Sequence, residues 1–216
     1  MTMLRFPDRI IEPCRVFCIG CNYGKHIKEL GSTEKDQCIV FMKPAICLVP
    51  PGAEIRIPRN MGAVHHEVEL VVAIGKDGKN ITAENALDHV AGITLGLDLT
   101  LRDVQARLKK DGHPWEMCKA FEQSAPLGDF VPYHSSIDLS DIPLTCRVNG
   151  MIRQNGNTCD MLFPVDRLIE ILSKTWLLRT GDLIFTGTPE GVGPITEGDA
   201  ITIESPLIGA FSWRIV

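Results

Sequence analysis

The chain of 216 residues contains no apolar run approaching the roughly 18 residues that a membrane-crossing helix needs. Its first residues, Met-Thr-Met-Leu-Arg-Phe-Pro-Asp-Arg, lack the apolar stretch of a secretion signal, so a cytoplasmic protein without membrane contact is expected. Low-complexity segments, charge blocks and internal repeats are also missing, which sets aside disordered and solenoid architectures. Basic residues are scattered, and a formal charge of −5 argues against a nucleic-acid partner, since backbone phosphates are bound by clustered Lys and Arg. Cys18-Ile19-Gly20-Cys21 matches C-x-x-C, but no second pair and no thioredoxin-like context accompany it. The eight cysteines then read as small buried apolar residues in a reducing compartment.

What is present fits one folded unit. An apolar fraction of 44% and a charged fraction of 23% are close to globular averages, and the length suits a single domain over residues 1–216. The most informative stretch is His65-His66-Glu67-Val68-Glu69-Leu70-Val71-Val72-Ala73-Ile74. Strand side chains alternate between faces, so Glu67 and Glu69 share one face while Val68, Leu70, Val72 and Ile74 share the other. Two carboxylates side by side repel, and burying them costs several kcal/mol per ion unless a cation sits between them. The alternative is an edge strand with one face in water. A second stretch favours burial: residues 91–101 are nearly all apolar around a single carboxylate, Asp98. Three acidic oxygen donors without a thiolate describe a hard-cation site, for Mg²⁺ or Mn²⁺, better than a zinc site.

Along the chain, Val16 to Gly20 reads as a buried strand, and Asn22 is placed to cap a helical turn running to about Gly31. His26 and Glu29 stand three apart on that turn, hence on one face, as a solvated pair or as a functional one. Gly20, Gly24 and Gly31 flank the segment, which suits a lid. Residues 39–49 form an apolar strand interrupted by Lys43-Pro44. Thr82 is expected to cap a helix that ends at Gly92. Thr100 and Asp103 form a variant capping box for a helix with Leu101, Val104 and Leu108 at helical spacing, ending at Gly112. Gln105 lies off that apolar stripe and could reach a cavity near Asp98. Trp115 to Phe121 reads as a strand-like segment carrying Lys119, either a surface lysine or a helper beside a bound anion. Asn149-Gly150 marks a type I′ hairpin, and Val165, Leu168, Ile169, Leu172 and Trp176 an amphipathic helix. The glycines of Thr186-Gly187-Thr188-Pro189-Glu190-Gly191-Val192-Gly193 would let backbone N–H groups approach an anion, although no Walker or dinucleotide fingerprint is met.

Five blocks together carry a resemblance: Gly20-Cys21-Asn22-Tyr23, His66-Glu67-Val68-Glu69-Leu70, Leu97 to Gln105, Val148-Asn149-Gly150 and Thr186 to Gly193. In this order they resemble the fumarylacetoacetate hydrolase family, in its short single-domain branch that includes acylpyruvases. The resemblance implies a mixed α+β fold with a rolled mixed β-sheet and few short helices, usually as a homodimer. It also implies a Mg²⁺ or Mn²⁺ held by carboxylates matching Glu67, Glu69 and Asp98. His26 and Glu29 match a lid dyad that activates water, and Lys119 matches a lysine near the substrate's enolate oxygen. Arg102, Gln105 and Thr188 fall where members touch the substrate. The chain departs from the family at Cys21, where many members carry Arg, so one anion contact is missing.

The implied activity is metal-dependent hydrolysis of a carbon–carbon bond in acylpyruvate-type 2,4-diketo acids, giving pyruvate and a carboxylic acid. Oxaloacetate decarboxylation and oxaloacetate keto–enol tautomerisation need only part of the same apparatus and stand as alternatives. A non-enzymatic metal-binding protein would have no use for His26, Glu29 and Lys119.

Overall fold

The run Val68–Ile74 alternates two sets of apolar side chains, and each set finds a core of its own. Val68, Leu70, Val72 and Ile74 enter one cluster, while Val71 and Ala73 enter a second on the opposite face. A strand covered on both faces belongs in a sheet interior. In the computed structural model, which describes residues 2–29 and 38–216, it is the third of six strands. Their order is Val131–Pro132, Val90–Leu97, Val68–Ile74, Leu183–Phe185, Val16–Gly20 and Ile39–Lys43. Leu183–Phe185 and Val16–Gly20 run parallel and the other neighbours antiparallel, so the sheet is mixed. The edge-strand alternative is excluded, because every residue of Val68–Ile74 is buried.

A five-stranded sheet, Met151–Asn157, Pro143–Val148, Ala200–Ser205, Gly209–Ile215 and Glu54–Ile55, lies against the first. Its Leu144, Cys146, Ile201 and Ile203 share a cluster with Leu70, Ile93 and Leu95, which places the larger core between the two sheets. Asn149 and Gly150 have φ of 51° and 79°, the left-handed pair that a type I′ hairpin requires. Leu168, Ile169 and Leu172 of the helix Val165–Thr175 complete the core as their spacing predicts. A small sheet of Thr100–Leu101, Val64–His66 and Gly193–Ile195 closes one end. The fold is mixed α+β, mostly strands with a few short helices.

Four local expectations are corrected. The strand expected over 65–74 breaks at Glu67, between Val64–His66 and Val68–Ile74. Trp115 to Phe121 is not extended: Glu116–Lys119 is a short helix whose turn buries Cys118 and Lys119. The helix after Thr82 ends early, since Ala83–Ala86 passes into a tight turn Leu87–His89. Gly92 instead lies in a strand, where a Cβ would stand 2.5 Å from Val131 O. Thr100 is no helix cap either. It pairs in a strand, its hydroxyl donates to Asp98 O, and Asp103 accepts from the Ala63 N–H instead. The helix Arg102–Asp111 does end at Gly112, with φ of 68°.

Two glycines with similar positive φ allow a controlled test. Gly150 (φ 79°) has open space where a Cβ would go, whereas at Gly191 (φ 92°) a Cβ would stand 2.2 Å from Arg153 O. Gly150→Ala should therefore cost only the left-handed backbone strain, about 1 kcal/mol. Gly191→Ala should cost clearly more, because a carbonyl must also move; urea unfolding that ranks the two the other way would refute this packing.

Candidate functional site

Glu67 occupies the break in the chain, yet its carbonyl still accepts from Asp98 N–H at 2.9 Å, so the two residues face one another at neighbouring strand ends. Glu69 stands two residues further along, opposite Gly96, where a Cβ would stand 2.7 Å from the Phe185 ring. One carboxylate oxygen from each of Glu67, Glu69 and Asp98 lies within 4.8 Å of the others, and the three residues are buried. The convergence predicted from the sequence is present.

Buried carboxylates this close need compensation. Lys119, on the short helix Glu116–Lys119, places Nζ 2.8 Å from Glu67 Oε2 and 2.5 Å from Asp98 Oδ2. Its third proton goes to Thr100 Oγ1 at 2.7 Å. Arg102 donates from Nη2 to Glu67 Oε1 at 2.5 Å and from Nη1 to Gln105 Oε1 at 2.5 Å. Lys43, at the end of Ile39–Lys43 and fully buried, stands 2.8 Å from Asp98 Oδ1. Burial alone would raise the Glu67 carboxyl, but the Lys119 and Arg102 charges hold it far below the usual carboxylate range. Burial opposes the Lys119 charge too, and Asp98 and Glu67 outweigh it, so its ammonium is held above the usual range. Glu69 is held differently, by the Gly187 N–H at 2.7 Å from Oε2. Burial, then the Asp98 and Glu67 charges, push its carboxyl well up.

The donor set suits a hard divalent cation. All three groups offer oxygen. Asp98 Oδ1 is buried yet accepts no aligned hydrogen bond, because the protons of Lys43 Nζ are directed at the carbonyls of Leu99 (3.3 Å), Ser124 (2.9 Å) and Lys119. That oxygen keeps lone pairs for another partner.

His26 and Glu29 lie on the helix Gly24–Glu29, with His26 Nδ1 3.1 Å from Glu29 Oε2. His26 is buried and lines the same cavity as the three carboxylates, while Glu29 is exposed and backs it from outside. Asn22 does not cap this helix. Its amide donates to Phe163 O and Thr186 O and accepts from Phe163 N–H, tying the segment to two others. The glycine-rich segment does approach anions, and they are the chain's own: Gly187 N–H meets Glu69, and Gly191 N–H meets Glu29 at 3.0 Å. The end of the expected lid, at residues 30 and 31, lies outside the described residues.

Gln105 and Thr188 also line the cavity, together with Cys21, Lys109 and Trp115. Arg102 does not appear in the lining and reaches the site only through Glu67 and Gln105. Thr188 Oγ1 donates to Val68 O at 2.8 Å and accepts from Gln154 Nε2 at 2.7 Å. A ligand touching that hydroxyl must therefore bring its own hydrogen. The enclosed water-accessible space is about 20 Å³. That is roughly the room for one water. C-x-x-C forms no bridge and the eight cysteines are free thiols, but only Cys18, Cys47, Cys118 and Cys146 are the buried apolar residues expected, Cys14 and Cys159 being exposed and Cys21 and Cys38 half-buried.

Sequence reasoning passed over Lys43 and Gln154. Lys43 left a signal, a lysine closing the apolar run Ile39-Val40-Phe41-Met42, which reads as a strand interruption until its burial is seen. Gln154 left none.

Three buried carboxylates at strand ends, interleaved with buried cations and covered by a His–Glu helix, define a metal-dependent enzyme. The profile of the fumarylacetoacetate (FAA) hydrolase C-terminal region matches residues 15–216. Oxaloacetate tautomerase YcgM of Escherichia coli is 45% identical over 190 residues, covering 88% of this chain and 87% of that protein. The mitochondrial oxaloacetate decarboxylase of Dictyostelium discoideum is 41% identical over 188 residues, covering 87% of this chain and 86% of that protein. A crystal structure of fumarylpyruvate hydrolase from Pseudomonas aeruginosa with Mn²⁺ and pyruvate superimposes with a TM-score of 0.94 at 38% identity, covering 100% of this chain and 95% of that one. The chain belongs to the fumarylacetoacetate hydrolase family. None of its described helices is long and apolar enough to cross a membrane.

The compensation pattern predicts opposite effects from the same loss of charge. Asp98→Asn strips a partner from both Lys43 and Lys119 and should destabilise the metal-free protein by about 3 kcal/mol or more. Glu69→Gln keeps an oxygen for the Gly187 N–H while removing a repelling charge, so stability should hold or rise. Urea unfolding in EDTA checks this, and an equal loss in both variants would show the charges are not distributed this way.

Proposed function

We propose that this chain is a Mg²⁺- or Mn²⁺-dependent enzyme that interconverts the keto and enol forms of a small 2-keto dicarboxylic acid of the oxaloacetate type. The observation that carries this reading is the narrow cavity lined by one base, His26, together with the three carboxylates. Such a site suits a small substrate and a single proton shuttle. Glu67, Glu69 and Asp98 would hold the cation. Bound there, it supplies Lewis acidity that polarises the 2-oxo group and positive charge for the developing enolate.

The chain's own groups do the rest. With Nδ1 turned to Glu29, His26 would present Nε2 to take the C3 proton and pass it to the 2-oxo oxygen to give the enol, and to run the same transfer backwards to the keto form. Glu29 fixes the imidazole, and the Gly191 N–H anchors Glu29 in turn. Gln105, whose Oε1 accepts from Arg102, offers its amide N–H to the substrate carboxylate. Thr188 offers only an acceptor, which suits the hydroxyl of an enol. Lys119 contributes short-range positive charge to the enolate, its protons being committed to Glu67, Asp98 and Thr100. Lys109, one turn beyond Gln105 and exposed, brings a cation to the cavity rim for a second carboxylate, where Cys21 brings none. The tautomerase from Escherichia coli, and the Mn²⁺ and pyruvate bound in the Pseudomonas aeruginosa relative, support this assignment.

Hydrolysis of acylpyruvates is the second reading. The His26–Glu29 pair favours it, since a buried imidazole backed by a carboxylate is also a water-activating base. The fumarylpyruvate hydrolase relative supports the same chemistry, and the Dictyostelium discoideum relative supports decarboxylation of oxaloacetate as a companion activity.

Enol decay of oxaloacetate, CO₂ release and acylpyruvate cleavage should be followed in parallel for wild type, His26→Ala and Glu29→Gln, each with Mn²⁺ and with EDTA. Wild type should accelerate enol decay only with the metal, and His26→Ala should lose roughly 10²–10⁴-fold, the usual weight of a general base. If His26→Ala keeps tautomerisation and loses only acylpyruvate cleavage, hydrolysis becomes the better description. Activity indifferent to EDTA in all three assays would sink both.

A further inference from the structure

Met151–Asn157 is the outer strand of the five-stranded sheet, and most of it is exposed. Gln154 breaks the pattern, being 1% exposed. Its orientation comes from a bulge. Cys146 pairs with Gln154 while Arg147 pairs with Ile152, which leaves Arg153 as the extra residue on this strand. An extra residue re-aims the next side chain, and here it turns Gln154 away from solvent.

Every polar group of that amide is then used. Oε1 lies 3.0 Å from Val68 N and 2.9 Å from His66 Nδ1, while Nε2 lies 2.7 Å from Thr188 Oγ1 and 3.0 Å from Pro189 O. Val68 and His66 are the residues on either side of Glu67, at the break that lets Glu67 and Glu69 converge. One oxygen therefore grips the chain before and after the first carboxylate, and the nitrogen of the same amide grips the glycine-rich segment that holds Glu69 through Gly187. The proton arrangement is also fixed. Oε1 only accepts, so His66 carries its proton on Nδ1; Nε2 only donates, so the Thr188 hydroxyl sends its own proton to Val68 O.

We infer that Gln154 is the positioning residue of the acidic centre: through Val68 and His66 it holds the Glu67 break in the shape that binds a divalent cation, and through Thr188 it sets the acceptor facing the substrate. The inference rests on the assignment of Glu67, Glu69 and Asp98 as cation ligands. Groups that orient a ligand in this way typically carry 10–100-fold of metal affinity.

The test is Mn²⁺ titration of the metal-stripped protein by calorimetry, without substrate, alongside thermal unfolding in EDTA. Gln154→Met, close in size but without polar atoms, should weaken Mn²⁺ binding about tenfold or more. Gln154→Glu, protonated when buried, keeps an oxygen for Val68 and one donor for Thr188, and should bind Mn²⁺ within a few-fold of wild type. Thr188→Val removes the hydroxyl that accepts from Gln154 and donates to Val68 O, so it should weaken Mn²⁺ binding less than Gln154→Met does and also raise KM for oxaloacetate. Wild-type affinity in Gln154→Met, or an equal loss in Gln154→Glu, would overturn the inference while leaving the metal assignment standing. Should Gln154→Met not fold, Gln154→Asn, too short to hold both arms, carries the same expectation. A wild-type protein that binds no Mn²⁺ would overturn the ligand assignment first, and the inference with it.

Discussion

Bringing three carboxylates into a space free of bulk water is the constraint on which the rest of this molecule turns. Each ion would cost several kcal/mol to bury alone. The chain answers with Lys119 between Glu67 and Asp98, Lys43 behind Asp98 and Arg102 behind Glu67. Those cations come from three separate segments, so the short helix Glu116–Lys119, the end of Ile39–Lys43 and the start of Arg102–Asp111 must meet at one point. Much of the topology around the six-stranded sheet serves that meeting. Glu69 is the exception, since a backbone N–H rather than a charged side chain faces it, and burial with the neighbouring carboxylates pushes its carboxyl well up.

Regular structure brings these groups near one another, and its interruptions aim them. An unbroken strand through Glu67 would have used the Val68 N–H in a ladder; the break frees that amide, and Gln154 takes it up. The bulge at Arg153 exists on the partner side of the same contact. Gly187 and Gly191, at φ of 99° and 92°, bend the next segment so that successive N–H groups meet Glu69 and Glu29. The two carboxylates so anchored belong to different parts of the proposed machinery, one to the cation and one to the base. A single glycine-rich segment thus sets the distance between them.

The legible part of this site was periodic. Alternation over 65–74 placed Glu67 and Glu69 together, and an aspartate within an apolar run announced Asp98 as a group needing a partner. Periodicity also gave the hairpin at Asn149-Gly150 and the core face of Val165–Thr175. What escaped was side-chain to main-chain bonding over long sequence distances. Asn22 and Thr100 are good cap residues by type, yet Asn22 ties down Phe163 and Thr186 instead, 141 and 164 residues away. Lys43 and Gln154 bond partners 34 to 88 residues away, and nothing around Gln154 signals it. Lys119 was found by resemblance, while its local conformation was misread because a four-residue helix is too short to show a period.

Charge arithmetic links the centre to its proposed substrate. With all three carboxyls ionised, as a bound cation would hold them, Glu67, Glu69 and Asp98 carry three formal negative charges against the three positive ones of Lys43, Lys119 and Arg102. A centre built only for structure would stop there, with each lone pair matched. Asp98 Oδ1 is left without an aligned donor and Glu69 without a salt bridge of its own, so the balance is electrical but not chemical. Adding a divalent cation completes the bonding and leaves two positive charges in a cavity with little water to screen them. Only an anionic ligand relieves that, and a dianion such as a 2-keto dicarboxylate relieves it fully. On the proposed reading, the exposed Lys109 at the rim would add to that preference, and Cys21, small and uncharged, would leave room beside it for the second carboxylate.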